Sequence, residues 1–188
     1  MKSNLLKSIK LTLAFCVLLS VSYIFLLWAF ARIAGPNGGN ADVITLDGQV
    51  VGATNVGQQF ADTLYFWGRP SAAGYAADAS AGSNKGPSNP EYLTEVEERI
   101  TTFMAAHPYL ARPEVPSEMV TASASGLDPD ISPKAAYVQV QRVASARGLS
   151  VDRVMALVNA QTESPLFGLF GPEKVNVLKL NVALDEMK

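Results

Sequence analysis

The 188-residue sequence predicts an α+β protein, with one N-terminal transmembrane helix followed by a single extracytoplasmic α+β domain. Three observations carry this reading. Residues 11–31 are apolar and uncharged, a spacer of glycine, proline and asparagine follows them, and a hairpin signature then precedes three separately capped helices.

At 1.5 Å per helical residue, residues 11–31 reach roughly 31 Å, the thickness of a bilayer's hydrocarbon core. Twelve of them are Leu, Ile, Phe or Val, which favours insertion by roughly 4 to 7 kcal/mol. The rival is a cleaved secretory signal, with Ala29-Phe30-Ala31 as a small-residue processing site. Such signals have shorter apolar regions, so length favours an anchor. Lys2, Lys7 and Lys10 precede the stretch, no acidic residue occurs among the first ten, and only Arg32 follows closely. The positive-inside rule therefore makes residues 1–10 cytoplasmic, 11–34 the transmembrane helix, 35–42 a linker and 43–188 the domain outside.

Setting aside the three leading lysines leaves 12 basic against 17 acidic side chains, a balance of about −5. Such a surface disfavours nucleic acid. The only cysteine, Cys16, lies in the apolar stretch, so the outer domain has neither thiol nor disulfide. Its length suffices for one domain with its own core.

Asp47-Gly48 between Val43-Ile44-Thr45-Leu46 and Gln49-Val50-Val51 is the pairing that tolerates a type I′ turn, so a β-hairpin is expected. Residues 60–67 are aromatic-rich, and their periodicity leaves strand or short helix open. Residues 69–89 turn to Pro, Ser, Gly, Ala and Asn, an irregular segment of a length that is functional or mobile in compact domains. Asn89-Pro90 opens a helix whose apolar face is Leu93, Val96, Ile100, Phe103 and Met104. Ser132-Pro133 opens a second, with Ala136, Val140, Val143 and Ala144 inward and Gly148 ending it. Ser150 opens a third, with Val151, Val154, Met155 and Val158 on its apolar side. The tail at 175–184 alternates as a strand would, with a helix the other possibility.

The chemistry-bearing residues form no self-sufficient catalytic set. His107, the only histidine, is followed by Pro108 at the end of a helix, where it reads as helix termination rather than the base of a hydrolase. With no cysteine beside it, zinc is excluded. Asp128, Asp130 and Ser132 alternate like calcium ligands, but Pro133 stands where that loop needs glycine and Gln139 where it needs glutamate. A turn entering a helix cap explains them. Neither phosphate-binding glycine pattern occurs. A single span cannot enclose a polar pathway, so any transport role is shared with other subunits.

Tyr65-Phe66-Trp67-Gly68-Arg69-Pro70-Ser71-Ala72 resembles a block of the C-subunit family of bacterial Kdp potassium-transporting ATPases. The likeness continues through Gly86-Pro87-Ser88-Asn89-Pro90, residues 120–133, Arg142-Val143-Ala144-Ser145-Ala146-Arg147-Gly148-Leu149 and Val175-Asn176-Val177-Leu178-Lys179-Leu180-Asn181. The resemblance implies a bacterial inner-membrane complex of a channel-like potassium-binding subunit, a P-type ATPase subunit and a very small membrane subunit. Within it, this chain is needed for assembly and activity. It also implies a role as catalytic chaperone raising the ATPase subunit's affinity for ATP, with Gln139 at the position of the nucleotide contact. ATP is then the one cofactor implied, and only through the complex.

The chain departs from the family's Q-V-P-R pattern with Gln139-Val140-Gln141-Arg142, and loss of that proline is expected to straighten the helix there. It also has Gln161 where many members carry histidine. ATP is cytoplasmic whereas the flanking charges put Gln139 outside, so a helix-surface glutamine is the competing expectation. A cap docked over the outer mouth of the potassium-selective subunit fits both lines of argument. The irregular segment 69–90 is the candidate docking surface, with Arg69 as its anchor beside Tyr65, Phe66, Trp67, Pro70 and Ser71, against the alternative that Trp67 fills the domain's own core and Arg69 pins a loop carbonyl. The other functional class is a stand-alone anchored envelope enzyme or binding module.

Overall fold

In the computed structural model, which describes residues 2–187, the uncharged stretch lies within one long helix made of α1 (Lys2–Cys16), a π-helical stretch at Val17–Tyr23 and α2 (Ile24–Ala34). Asn4–Ala34 is long and apolar enough to cross a membrane. A turn at Pro36–Gly39 follows, with Asn37 and Gly38 in left-handed backbone. The chain divides into two compact units, Met1–Asp42 and Val43–Lys188.

The second unit begins with the expected hairpin, β1 (Val43–Leu46) against β2 (Gln49–Ala53), turned by Asp47 and Gly48 at positive φ. Its helices start where their caps dictate. Asn89 accepts from the Tyr92 N–H to open α3 (Pro90–Ala106), and Ser132 accepts from the Ala135 N–H to open α4 (Pro133–Tyr137). After α5 (Val140–Arg147), left-handed Gly148 ends the helix, and Ser150 caps α6 (Val151–Gln161). A three-stranded antiparallel sheet, ordered β3 (Asp130–Ile131), β5 (Lys174–Asn176), β4 (Thr162–Glu163), lies beside these helices. The core is built from Phe66, Phe103, Ile131, Val140, Val143, Val154, Val158, Val175, Leu180 and Leu184. Leu93 and Val151, read as inward-facing, are exposed at the first turns of their helices.

Two expectations are corrected. The tail is a strand only to Asn176; Val177–Asp185 is helix α7. Asn176 caps it by accepting from the Lys179 N–H, and Val177, Leu180, Asn181 and Leu184 form a buried stripe of helical spacing. Alternation at Leu178, Leu180 and Leu184 imitates a strand because the buried face is wide.

The second correction concerns residues 133–147, which are not straightened by the absence of proline but break between α4 and α5. Two side chains occupy the helical ladder. Gln139 Nε2 donates to the Ala135 carbonyl at 3.0 Å, and the Gln139 N–H turns instead to Ala136. The Tyr109 hydroxyl donates to the Val138 carbonyl (2.8 Å) and accepts from the Arg142 N–H (3.2 Å), standing between the partners of one i to i−4 bond.

The irregular segment 69–89 is pinned to residues 123–126. Ser71 Oγ donates to the Gly126 carbonyl at 2.6 Å, Ser80 Oγ to Ser125 at 2.9 Å, and the Ser123 N–H to the Pro70 carbonyl at 3.0 Å. Gly126 has φ +70°, and a Cβ there would sit 2.7 Å from the Ala73 Cβ and the Ala81 carbonyl oxygen, so only glycine allows this approach.

Tyr109→Phe removes the inserted hydroxyl without changing ring packing. Chemical denaturation of the detergent-solubilised chain should show a loss of about 1–2 kcal/mol; an unchanged midpoint would take the hydroxyl out of this account.

Candidate functional site

Residues 65–67 run through the domain in neither strand nor helix. Their backbone is nevertheless paired as in a sheet, with side chains as the partners. Asn181 of α7 clamps Phe66: the Phe66 N–H donates to Oδ1 at 2.8 Å and Nδ2 donates to the Phe66 carbonyl at 3.0 Å. Gln139, preceding α5, clamps Trp67 in the same way, at 2.8 Å and 3.1 Å. Each carboxamide exchanges two hydrogen bonds with one residue, as a neighbouring antiparallel strand would.

Arg142 completes the clamp. Nη1 donates to the Thr63 carbonyl (2.5 Å) and Nη2 to the Tyr65 carbonyl (3.0 Å) and Gln139 Oε1 (2.8 Å), while Nε donates to His107 Nε2 (2.9 Å). Its guanidinium carbon lies 4.4 Å from the Trp67 ring centroid, a cation–π contact. The side chain is almost fully buried, with no ion pair among the described residues and Asp62 acting on it only through space; burial pushes its pKa down to about 10, so it is still cationic at neutral pH.

His107 is wholly buried at the end of α3. Its Nδ1 lies 2.7 Å from the Phe103 carbonyl, so Nδ1 carries the proton and Nε2 is free to accept from Arg142. Burial first, then the Arg142 charge, lowers its pKa to about 4. The ring stacks on Phe103 at 4.1 Å between centroids and meets Trp67 and Tyr109 edge-on.

The expected docking residues fall into distinct places. Phe66 is fully buried in the domain's core and has no surface to offer. Tyr65, Trp67, Arg69, Pro70 and Ser71 are half-buried. Arg69 Nη1 pairs with Asp128 at 2.9 Å, its carbonyl accepts from Tyr75 Oη at 2.7 Å, and its Nε has no hydrogen-bond partner. Ser71 Oγ accepts from the N–H groups of Ala73 and Tyr75 and holds the loop's first turn. Trp67, Gly68 and Pro70 form one wall of an open cleft of about 440 Å³, which Phe60, Tyr75, Arg99, Phe103 and Met119 also line.

Gln139 is neither exposed nor free. It is wholly buried, and both its carboxamide oxygen and nitrogen carry two hydrogen bonds. Every polar position of the carboxamide is used within the domain. Of the alternating acidic residues, Asp128 pairs with Arg69 and Asp130 with Lys174 at 2.8 Å. The Asp128 carboxylate also accepts from the Asp130 N–H, the turn expected before the helix cap.

A family model described as K+-transporting ATPase, c chain, matches residues 5–186. This chain belongs to the KdpC family. The potassium-transporting ATPase KdpC subunit of Bacteroides fragilis is 68% identical over 187 residues, 98% of each chain. That of Flavobacterium psychrophilum is 50% identical, over 98% of this chain and 99% of its own. The KdpC subunit of Caldanaerobacter subterraneus subsp. tengcongensis is 45% identical, over 99% and 96%. Arg142, Asn181 and Tyr109 escaped the sequence reading of the site, and His107 was read there only as helix termination. Asn181 left a signal, a carboxamide set among leucines and valines on the inward stripe of a helix.

His107 gives the domain a pH dependence. Its folded-state pKa, about 4, lies below the ordinary 6.5, so between those values the unfolded chain binds more protons and acid favours unfolding. The full stabilisation is present above pH 6.5 and falls as pH drops towards 4, by at most about 3 kcal/mol. His107→Gln keeps a donor and an acceptor but does not titrate, so denaturation series from pH 7 to 4 should show a shallower fall than the parent chain; identical slopes would contradict the neutral tautomer.

Proposed function

We propose that this chain is an accessory subunit of an ATP-driven potassium uptake complex, held by one transmembrane helix with residues 43–188 outside the cytoplasm. The observation that carries the proposal is the match of nearly the whole chain to relatives that are subunits of potassium-transporting ATPases. Orientation rests on three lysines before the apolar stretch against one arginine after it. Partners are a channel-like potassium-binding subunit, a P-type ATPase subunit and a very small membrane subunit. The chain contributes assembly and stability to the complex, and ATP is bound by the ATPase subunit.

The inward use of polar chemistry supports a non-catalytic role. Gln139, Arg142 and His107 satisfy one another and the backbone of residues 63–67, and a buried group that does so has no hydrogen bond to spend on a substrate. The docking surface is the cleft beside Trp67, where aromatic walls and the Arg99 cation offer the pattern of an interface hot spot. Gln139 acts on that surface indirectly, by fixing the Trp67 backbone.

Purification through a tag on this chain should recover the ATPase with potassium-stimulated ATP hydrolysis, and the chain alone should hydrolyse none. Thr102→Arg places a bulky cation on an exposed position of the cleft wall and should cut recovery of the partners about tenfold or more, about 1.4 kcal/mol, leaving the chain folded. Undiminished recovery would move docking elsewhere, and turnover by the chain alone would favour an anchored enzyme.

Protease added to sealed spheroplasts should remove the domain beyond residue 42. Full-length protein that is cut only after lysis would reverse the orientation.

A further inference from the structure

Between β4 and β5 the chain runs Ser164-Pro165-Leu166-Phe167-Gly168-Leu169-Phe170-Gly171-Pro172, nine residues without a charge. Four large apolar side chains stand out from the domain: Leu166 is 64% exposed, Phe167 84%, Leu169 80% and Phe170 64%. Contiguous apolar surface of this kind marks a contact site rather than ordinary surface.

The backbone under these side chains closes on itself. Leu166 and Phe170 exchange two hydrogen bonds of 3.0 Å, the Gly168 N–H donates to Pro165 at 2.8 Å, and the Leu169 N–H to Leu166 at 3.1 Å. Phe167 and Gly168 take left-handed φ of 54° and 71° at the turn, where the Phe167 ring lies in solvent. At the base, Glu163 is paired with Lys179 at 2.9 Å and Lys174 with Asp130 at 2.8 Å.

Resting on the single-anchor reading above, we propose that this hairpin tip enters the interfacial layer of the lipid bilayer as the chain's second membrane contact. Three features favour lipid over a protein partner. The tip offers no polar side chain between Leu166 and Phe170 with which to specify a protein surface. The backbone N–H groups of Leu166, Gly168, Leu169 and Phe170 are paired within the turn, which lowers the cost of placing this backbone in the interfacial layer. The linker at 35–42, fully extended, reaches at most about 29 Å, so the domain is held at high effective concentration near the membrane. Because the domain is net acidic, the contact is apolar and needs no anionic lipid.

The test uses the full chain with Cys16→Ala and Leu169→Cys, labelled with an environment-sensitive fluorophore and placed in phosphatidylcholine nanodiscs. Emission should shift to the blue and fall about twofold when the lipids carry a nitroxide quencher near the glycerol level. The same label at Ser145→Cys, an exposed site on α5, should stay unquenched. A water-like, unquenched Leu169→Cys signal from chain that co-elutes with the nanodisc overturns the lipid contact while leaving the anchor intact. A blue shift only after the other pump subunits are added also overturns it and gives the tip to a protein partner. Failure of the chain to co-elute with nanodiscs overturns the anchor reading and this proposal together.

Discussion

The backbone of residues 63–67, a turn at Thr63 and Leu64 followed by irregular chain, is the constraint on which the domain's polar interior depends. It has no strand on either edge, so apart from the Tyr65 N–H, which donates to the Asp62 carbonyl at 3.3 Å, its groups find partners among side chains or stay unpaired at about 1–3 kcal/mol each. The carbonyls of Thr63, Leu64, Tyr65, Phe66 and Trp67 all accept from side chains, namely Arg142, Arg147, Asn181 and Gln139. These groups come from α5, its N-cap and α7, so one segment orders two helices. Phe66 can then be driven fully into the core because its own peptide groups are satisfied by Asn181.

A buried arginine without a carboxylate in ion-pair contact would ordinarily be costly. Arg142 avoids the cost by spreading its charge over two peptide carbonyls, a carboxamide oxygen, a neutral imidazole and the Trp67 ring. The imidazole works only as an acceptor, and protonated His107 would set two cations face to face. Arg147 repeats the arrangement nearer the surface, where water permits a full ion pair: it donates to the Leu64 carbonyl and pairs with Asp185 at 2.7 Å beneath the Tyr65 ring. The depth of each arginine decides whether a carbonyl or a carboxylate answers it.

Local signals were legible in the sequence because local geometry decides them. Asn89-Pro90, Ser132-Pro133, Ser150, Gly148 and Asp47-Gly48 each act within a few residues, and each sits where its chemistry put it. Residues 60–67 gave no clear period because their partners lie more than seventy positions away and are side chains rather than a strand. The broken helix was missed for a related reason. Proline is a break that a sequence displays, whereas the Tyr109 hydroxyl reaches Val138 and Arg142 through the fold. Gln139 looked like a surface residue or a ligand contact since polar residues are mostly exposed, and nothing nearby announces that Trp67 needs it.

The division between inside and outside bears on how such a chain can act. Its buried polar groups are consumed in holding residues 63–67, and the surface left beside them is the open cleft along Trp67 and Pro70, whose aromatic walls are edged by Glu98 and Arg99. The affinity that any such surface yields depends on how rigidly it is presented. Two carboxamides fix consecutive residues of the cleft-forming segment, and Ser71 together with the Gly126 approach fixes its far end. Each bond inside the domain lowers the entropy that the cleft wall would otherwise lose on meeting a partner, which is the physical condition for the docking proposed above.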